Sequence, residues 1–254
     1  MKGIILAGGQ ATRLRPLTKI TSKQLLPIYN KPMIYYPIET LVQASITEIL
    51  IIIAPDYSGH FLNLLGSGKD FGVKFSYEIQ EHPRGLADAF IIGENFIGDD
   101  AVTMILGDNI FDHDFSEDIK NFKSGAQVYA KKVDDPERFG VVEFDDKMQA
   151  IAIEEKPDKP KSEYAVVGIY TFDNKVINLA KNLEPSARGE IEITDLNNIY
   201  LKDGKMKVNI IDGIWEDAGT FDSLLRASLM MAEKANKKIS MEIGSVEIEL
   251  ENKK

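Results

Sequence analysis

The first half of the chain alternates between short apolar runs and segments with the periodicity of an amphipathic helix. The apolar runs predict strands at residues 4–7, 49–54, 73–79 and 101–106. The segments around them predict helices at residues 33–44, 61–65, 86–96 and 115–122. Such a series indicates a mostly parallel sheet with helices on both faces, because parallel neighbours need crossover helices. Ligands of such sheets bind at the carboxyl ends of the strands.

The second half of the chain has more strands and fewer helices. Strands are predicted at residues 127–132, 141–144, 150–154, 166–172 and 208–211, and helices near residues 176–182 and 193–202. This pattern favours a mixed extension of the sheet. The proline-containing stretch 156–161 is too short for an interdomain linker. We expect one domain over residues 1–254, with its core in 1–235 and a short tail in 236–254.

The composition restricts the possible functions. Forty acidic residues against thirty basic ones give a net charge of −10, which disfavours binding to nucleic acid or to an anionic membrane. There is no cysteine, so disulfides, thiolate metal ligands and a cysteine nucleophile are excluded. The apolar run near the N-terminus is too short for a signal sequence, and no stretch approaches the ~18 apolar residues of a membrane span. We expect a cytoplasmic protein.

A glycine-containing loop follows the first predicted strand. Gly8 and Gly9 leave backbone amides free to bind a polyphosphate, and Arg13, Arg15 and Lys23 can supply positive charge to it. The loop matches neither the Walker spacing nor the dinucleotide-binding G-x-G-x-x-G spacing. The loop therefore predicts phosphate binding outside those two classes.

Two aspartates suggest a site for a hard divalent cation. Asp108 follows the predicted strand 101–106 at its carboxyl end, although an aspartate there is more often a helix cap or a turn residue. Asp217 precedes a second turn and helix. Mg²⁺ takes one or two protein carboxylates together with phosphate oxygens. The two aspartates together are what such a site needs.

Four other polar residues are weaker candidates. Lys156 could bind a phosphate as a point charge, and Glu155 could accept hydrogen bonds from hydroxyl groups. The amide of Gln80 could bind the edge of a base. Arg188 either contacts an anion or flanks a helix cap. Solvated surface residues produce the same local patterns, so none of these is specific alone.

Nine motifs resemble, in order and at plausible spacings, those of the sugar nucleotidyltransferases, and most closely their thymidine-specific branch. The motifs are LAGG at 6–9, TRLRPLT at 12–18, SKQLLP at 22–27, KPMIYYP at 31–37, GLADAF at 85–90, LGDN at 106–109, DPERFGVV at 135–142, EEKP at 154–157 and SARGE at 186–190. The resemblance covers roughly residues 1–235 and is far more specific than any one motif.

The resemblance implies a Rossmann-like three-layer α/β/α nucleotidyltransferase fold with a mostly parallel central mixed sheet. It implies a Mg²⁺-dependent reaction in which dTTP and glucose 1-phosphate give dTDP-glucose and pyrophosphate. The sugar phosphate would attack the α-phosphorus in line without an enzyme nucleophile, so that catalysis consists of positioning and charge stabilisation. We also expect a homo-oligomer.

The roles implied for individual residues follow the motifs. Gly8, Gly9 and Thr12 would bind the triphosphate, and Arg13 and Lys23 would stabilise the charge that develops on it. The nucleoside would be contacted by Gln24, Gln80 and Gly85. Asp108 and Asp217 would hold Mg²⁺, and Asp108 thereby also belongs to the nucleotide site. The sugar phosphate is assigned to Lys156 with Arg188 nearby, and the sugar pocket to Asn109, Gly140, Glu155 and Val167.

The chain departs from the family pattern in three places. Ala11 replaces a glycine, so either its φ is negative or the loop is rearranged. Glu216 and Ala218 replace leucine and threonine beside Asp217, which adds negative charge near the expected metal site. The third departure is the C-terminal tail, where residues 246–251 alternate like a strand, whereas many members of the family carry a longer helical segment. This alternation predicts an edge strand that makes a contact between two copies.

Two other functions remain open from the sequence. The first is the same reaction with UTP, because the two bases differ by one methyl group, worth only about 1–3 kcal/mol in a pocket. The second is a non-catalytic sensor of sugar nucleotides, suggested by Ala11 and by the altered surroundings of Asp217.

Overall fold

The computed structural model describes residues 1–9 and 11–235. Its strands are β1 (Lys2–Ala7), β2 (Pro27–Ile28), β3 (Lys31–Pro32), β4 (Glu48–Ile53), β5 (Lys74–Ile79), β6 (Val102–Leu106), β7 (Asn109–Phe111), β8 (Ala126–Lys132), β9 (Gly140–Phe144), β10 (Ala150–Glu155), β11 (Tyr164–Phe172), β12 (Met206–Ile210) and β13 (Trp215–Asp217). Its helices are α1 (Tyr35–Gln43), α2 (Ser58–Leu65), α3 (Asp88–Ile92), α4 (Glu94–Ile97), α5 (Ser116–Lys120), α6 (Lys175–Lys181), α7 (Ile193–Lys202) and α8 (Phe221–Lys234).

In the described part of the chain, nine of these strands form one sheet. Its central order is β10-β9-β11-β6-β1-β4-β5, and β8 joins β11 to β12. Strands β6, β1, β4 and β5 are parallel, whereas β11 runs antiparallel to β6, β8 and β9. The predicted α/β fold is thus confirmed, with its parallel strands in the first half and a mixed extension in the second.

The central strands are buried on both faces, which explains their unbroken apolar sequences. On β1, Ile4 packs in a core that includes Phe90 of α3, and Ile5 packs on the opposite face in a core that includes Ile38 of α1. Both isoleucines have 0% exposure. Helices therefore cover both faces of the sheet, as three layers require.

The predicted helix 86–96 is wrong in one respect, because Gly93 divides it into α3 and α4. A Cβ at Gly93 would lie 3.0 Å from Cδ1 of Ile4, so the helical layer approaches β1 too closely for a larger residue. The short pairs β2–β3 and β7–β13 were not predicted. Strands of two or three residues are too short to show a periodic pattern.

No helix within residues 1–9 and 11–235 has the length and apolar character needed to cross a membrane. The predicted strand at residues 246–251, and the contact between copies inferred from it, lie outside the described residues.

Ala11 has φ 48° and ψ 41°, which lies in the left-handed region. Of the two alternatives for this position, a negative φ is therefore excluded. The strained backbone is held by hydrogen bonds that the Ala11 carbonyl accepts from the Thr18 hydroxyl (2.8 Å) and from the Leu14 amide (3.1 Å).

We expect Ala11→Gly to raise the free energy of unfolding by up to about 1 kcal/mol, because relief of the left-handed strain exceeds the added entropy of the unfolded chain. Chemical denaturation measures the change. Ala44→Gly is the control, because Ala44 has an ordinary φ of −75° and should only lose stability. Equal losses in the two variants would contradict the prediction.

Candidate active site

The pairing of two short strands brings Asp108 and Asp217 together. Strand β7 follows directly after Asp108, and β13 pairs with it antiparallel so that Asp217 lies opposite Asn109. The Ala218 amide then donates to the Asp108 carbonyl at 3.0 Å. The two aspartates therefore lie at the carboxyl end of β6, where an α/β sheet binds its ligands.

Asp108 forms a buried ion pair with Lys23, whose Nζ donates to Oδ2 of Asp108. Burial opposes the charge on both side chains. The Lys23 ammonium nevertheless lowers the pKa of Asp108 below its usual value, helped by hydrogen bonds from Lys23 and Asn109. Conversely, the negative charges of Asp108 and Asp217 raise the pKa of Lys23 despite its burial. Both groups are therefore charged at neutral pH.

Asp217 is in the opposite situation. Its burial, together with the negative charge of Asp108, raises its pKa from 3.8 to about 6. Its Oδ1 atom is buried and has no hydrogen-bond partner among residues 1–9 and 11–235. Asp217 thus has a buried oxygen without a partner and lies near a second carboxylate, that of Asp108. This arrangement fits Mg²⁺, whose remaining ligands come from phosphate and water. The residues present therefore suit this cation.

Asn109 fixes the orientation of Asp108. Its Oδ1 accepts from the Trp215 indole at 2.6 Å and from the Gly168 amide at 3.1 Å. Its Nδ2 donates to Oδ1 of Asp108 at 3.1 Å. A Cβ at Gly168 would lie only 2.5 Å from Oδ1 of Asn109, so this close approach requires a glycine.

A cavity of about 210 Å³ lies on one side of the aspartates. It is lined by six residues that the sequence assigned to the nucleotide: Gly9, Lys23, Gln24, Gln80, Gly85 and Asp108. Leu6, Pro83, Leu86, Leu106 and Glu190 complete its wall.

Two glycines shape the wall around Gln80. The Gln80 amide is fixed by donation from Nε2 to Oδ2 of Asp88 at 2.9 Å. A Cβ at Gly8 would lie 2.5 Å from Oε1 of Gln80. Gly85 has φ 100°, and a Cβ there would clash with the backbone of Ile191. Larger residues at these two positions would displace the wall of the cavity.

A second cavity, of about 430 Å³, is lined by Asp217. It includes Arg13, Asn109, Gly140, Glu155, Lys156 and Asp217, all of which the sequence had singled out. Sequence reasoning missed the remaining lining residues, which are Leu86, Leu106, Arg138, Phe139, Val166, Gly168, Tyr170, Ile193, Thr194, Asn197 and Trp215. Leu86 and Leu106 line both cavities, so the two spaces adjoin.

Lys156 and Glu155 form one end of this larger cavity. Lys156 has a positive φ of 45°, and its amide donates to the Phe139 carbonyl at 2.9 Å. Its Nζ lies 3.6 Å from Oε1 of Glu155. Oε2 of Glu155 accepts from the Thr194 hydroxyl at 2.6 Å. The Lys156 side chain is half exposed, so its ammonium group can approach an anion in the cavity.

Four of the assigned residues line neither cavity: Gly8, Thr12, Val167 and Arg188. Thr12 is exposed, and Arg188 is held by Glu192, with Nη2 at 2.9 Å from both carboxylate oxygens. Val167 is buried in the core on the opposite face of β11 from Val166. Only the backbone of Val167 can therefore reach the larger cavity, because neighbouring side chains alternate along a strand.

The negative charge expected beside Asp217 is compensated. Alternation along β13 turns Glu216 away from Asp217. Both oxygens of Glu216 accept from Arg226, at 2.8 Å and 3.3 Å. Trp215 lies on the same face as Asp217 and could have been found from this two-residue spacing.

The chain was compared with known proteins. The nucleotidyl transferase family model matches residues 2–234. The glucose-1-phosphate thymidylyltransferase of Neisseria meningitidis is 54% identical over 234 residues, which are 90% of this chain and 81% of that protein. The enzyme of the same name from Mycolicibacterium smegmatis is 52% identical over 233 residues, with the same two coverages of 90% and 81%.

Solved structures agree with these relatives. A Bacillus anthracis structure, described as a glucose-1-phosphate thymidylyltransferase with sucrose, has a TM-score of 0.86 and 51% identity over 91% of this chain and 94% of its own. UDP-glucose pyrophosphorylase with UDP-glucose has a TM-score of 0.79 and 25% identity, over 92% and 98% of the two chains. The chain belongs to the nucleotidyl transferase family and, within it, to the glucose-1-phosphate thymidylyltransferases.

Proposed function

We propose that this chain transfers dTMP from dTTP to glucose 1-phosphate in a Mg²⁺-dependent reaction that releases pyrophosphate. The observation that carries the proposal is the position of the two aspartates between adjoining cavities. Asp108 lines the smaller cavity and Asp217 lines the larger one. A nucleotide and a sugar phosphate bound in these two spaces would meet at the carboxylates.

In this proposal the smaller cavity binds the nucleoside through Gln24, Gln80 and Gly85. The triphosphate lies along Gly8, Gly9 and Thr12, and Arg13 and Lys23 offset its charge. Lys156 holds the phosphate of the sugar in the larger cavity. Mg²⁺ bound by Asp108 and Asp217 would offset charge on the reacting phosphates.

The sugar phosphate oxygen then attacks the α-phosphorus of dTTP in line. The bond between that phosphorus and the bridging oxygen breaks, and pyrophosphate leaves with the electron pair. The attacking group is already an anion at neutral pH, since the second pKa of a phosphate monoester is about 6. No general base is therefore required, and the protein contributes orientation and charge stabilisation.

We also infer that residues 1–254 act as a single domain in a cytoplasmic homo-oligomer that binds neither nucleic acid nor membrane. The net charge of −10 disfavours binding to nucleic acid or to an anionic membrane, and the absence of cysteine fits the cytoplasm.

Pyrophosphate release tests the proposed reaction. With Mg²⁺ and glucose 1-phosphate, we expect release to be about 10–100-fold faster from dTTP than from UTP, because one methyl group contributes about 1–3 kcal/mol in a pocket. Equal rates would argue against thymidine specificity. No release from either nucleotide would favour a non-catalytic sensor.

The role of Lys156 gives a second test. We expect Lys156→Met to raise the KM for glucose 1-phosphate about 10–100-fold, since a hydrogen bond from a charged group is worth about 1.5–3 kcal/mol. The KM for dTTP should stay nearly constant. Lys159→Met, which removes an exposed lysine of the same loop, is the control and should change neither value. Parallel rises in both constants for Lys156→Met would contradict the assignment.

A further inference from the structure

Asn197 on α7 has a buried side chain without a partner. The residue is 1% exposed. Neither Nδ2 nor Oδ1 has a hydrogen-bond partner in the part of the chain that the structure describes. Buried polar atoms are bonded in the great majority of cases, so an amide with two unpaired atoms requires an explanation. Asn197 lies at the wall of the larger cavity.

The neighbouring residues on α7 already have partners. Helical spacing places Ile193, Thr194 and Asn197 on one face, and all three line the cavity. The Thr194 hydroxyl is bound to Glu155. Asn198 points elsewhere, because its Nδ2 donates to the Ile153 carbonyl at 2.7 Å and its Oδ1 accepts from the Ile153 amide at 3.1 Å. Of these two adjacent asparagines, one is bonded to β10 and the other lies unpaired at the wall of the cavity.

We propose that Asn197 determines sugar specificity by hydrogen bonding to a hydroxyl group of the bound sugar. This inference rests on the proposed function. Lys156 lines the same cavity and can bind the anionic phosphate, which leaves the uncharged amide for the sugar ring. An amide both donates and accepts, as a hydroxyl does. A sugar that lacks the hydroxyl leaves the buried amide unpaired, and sites of this kind discriminate strongly.

The test combines Asn197→Ala with glucose 1-phosphate and its analogues that lack the hydroxyl at C2, C3, C4 or C6. We expect one analogue to lower kcat/KM of the unmodified enzyme about 10-fold or more. Asn197→Ala should lower kcat/KM for glucose 1-phosphate by a similar factor and should show little further loss with that analogue, because two changes that remove the same contact are not additive.

Two further variants separate recognition from folding. Asn198→Ala removes the bonded neighbour, so it should lower Tm and leave the ranking of the analogues unchanged. Asn197→Leu has a similar volume and no polar atoms, so it should raise the Tm of the free protein and lose kcat/KM for glucose 1-phosphate as Asn197→Ala does.

The outcomes separate failure of the proposed function from failure of the proposed role of Asn197. If the unmodified enzyme does not use glucose 1-phosphate, the proposed function fails before any variant is compared. If the unmodified enzyme uses it and the losses in Asn197→Ala are additive for every analogue, the specificity role of Asn197 is wrong and the proposed function is retained. Unchanged kcat/KM in both Asn197 variants would overturn that role equally.

Discussion

Asp217→Asn is expected to stabilise the free protein and to lower turnover by at least about 100-fold. Burial and the charge of Asp108 raise the pKa of Asp217 from 3.8 to about 6. Above pH 6 the folded protein therefore carries an unfavourable charge there, at a cost of about 1–3 kcal/mol at 1.36 kcal/mol per pKa unit. Asparagine keeps the shape without the charge, but it provides a weaker ligand for Mg²⁺.

The pH dependence follows from the direction of the shift. Below pH ~4 Asp217 is protonated in both the folded and the unfolded state, so the variant has no advantage. Its advantage should grow between pH 4 and 6 and stay constant above pH 6, because only the unfolded state ionises within that interval. Denaturation at a series of pH values without divalent cations measures it. A variant less stable than the unmodified protein at pH 7 would contradict the prediction.

Asp108→Asn is expected to have the opposite effect on stability, although it should also lower turnover by at least about 100-fold. The ion pair with Lys23 lowers the pKa of Asp108 despite its burial. Its removal leaves Lys23 buried without this partner, and such losses cost about 3–5 kcal/mol. The nearby charge of Asp217 reduces the expected cost to about 2–4 kcal/mol.

This loss also depends on pH in a defined direction. The stabilisation from a lowered carboxylate pKa is present above the unfolded value of 3.8 and is lost as the pH falls through the folded value. The difference between Asp108→Asn and the unmodified protein should therefore shrink below pH ~4. Asp146→Asn, an exposed aspartate, is the control and should stay within about 0.5 kcal/mol. A change of the same sign in Asp108→Asn and Asp217→Asn would contradict one of the two predictions.

Much of the fold could be predicted from the sequence because its signals are local. Strand β1 is a buried apolar run that leads into Gly8 and Gly9, and α7 is predicted with the bounds that the structure shows. Asp108 and Asp217 could be selected because each lies next to a predicted element. A shared metal site was predicted for them, but the strand pairing that brings them together was not, because β7 and β13 have only three residues each.

The unpredicted parts of the site depend on which way a side chain faces. The sequence does not distinguish Asn197 from Asn198. The packing of α7 against β10 lets Asn198 form hydrogen bonds to Ile153 and leaves the Asn197 amide unpaired. Val167 illustrates the same limit, because its side chain lies on the face of β11 opposite the cavity. Gly8 and Gly85 have no side chain, and the need for glycine at these positions is visible only from the atoms that lie against them in the structure.

The two cavities have separate walls except at Leu86 and Leu106. Under the proposed function, substitutions around Gln80 can therefore alter the selection of the base without changing the sugar site. Substitutions on α7 can likewise alter the selection of the sugar without changing the base site. The chemistry at the two aspartates is shared by every such combination. The preferences for the nucleotide and for the sugar can thus change independently during evolution. Only a substitution at Leu86 or Leu106 would alter both cavities at once.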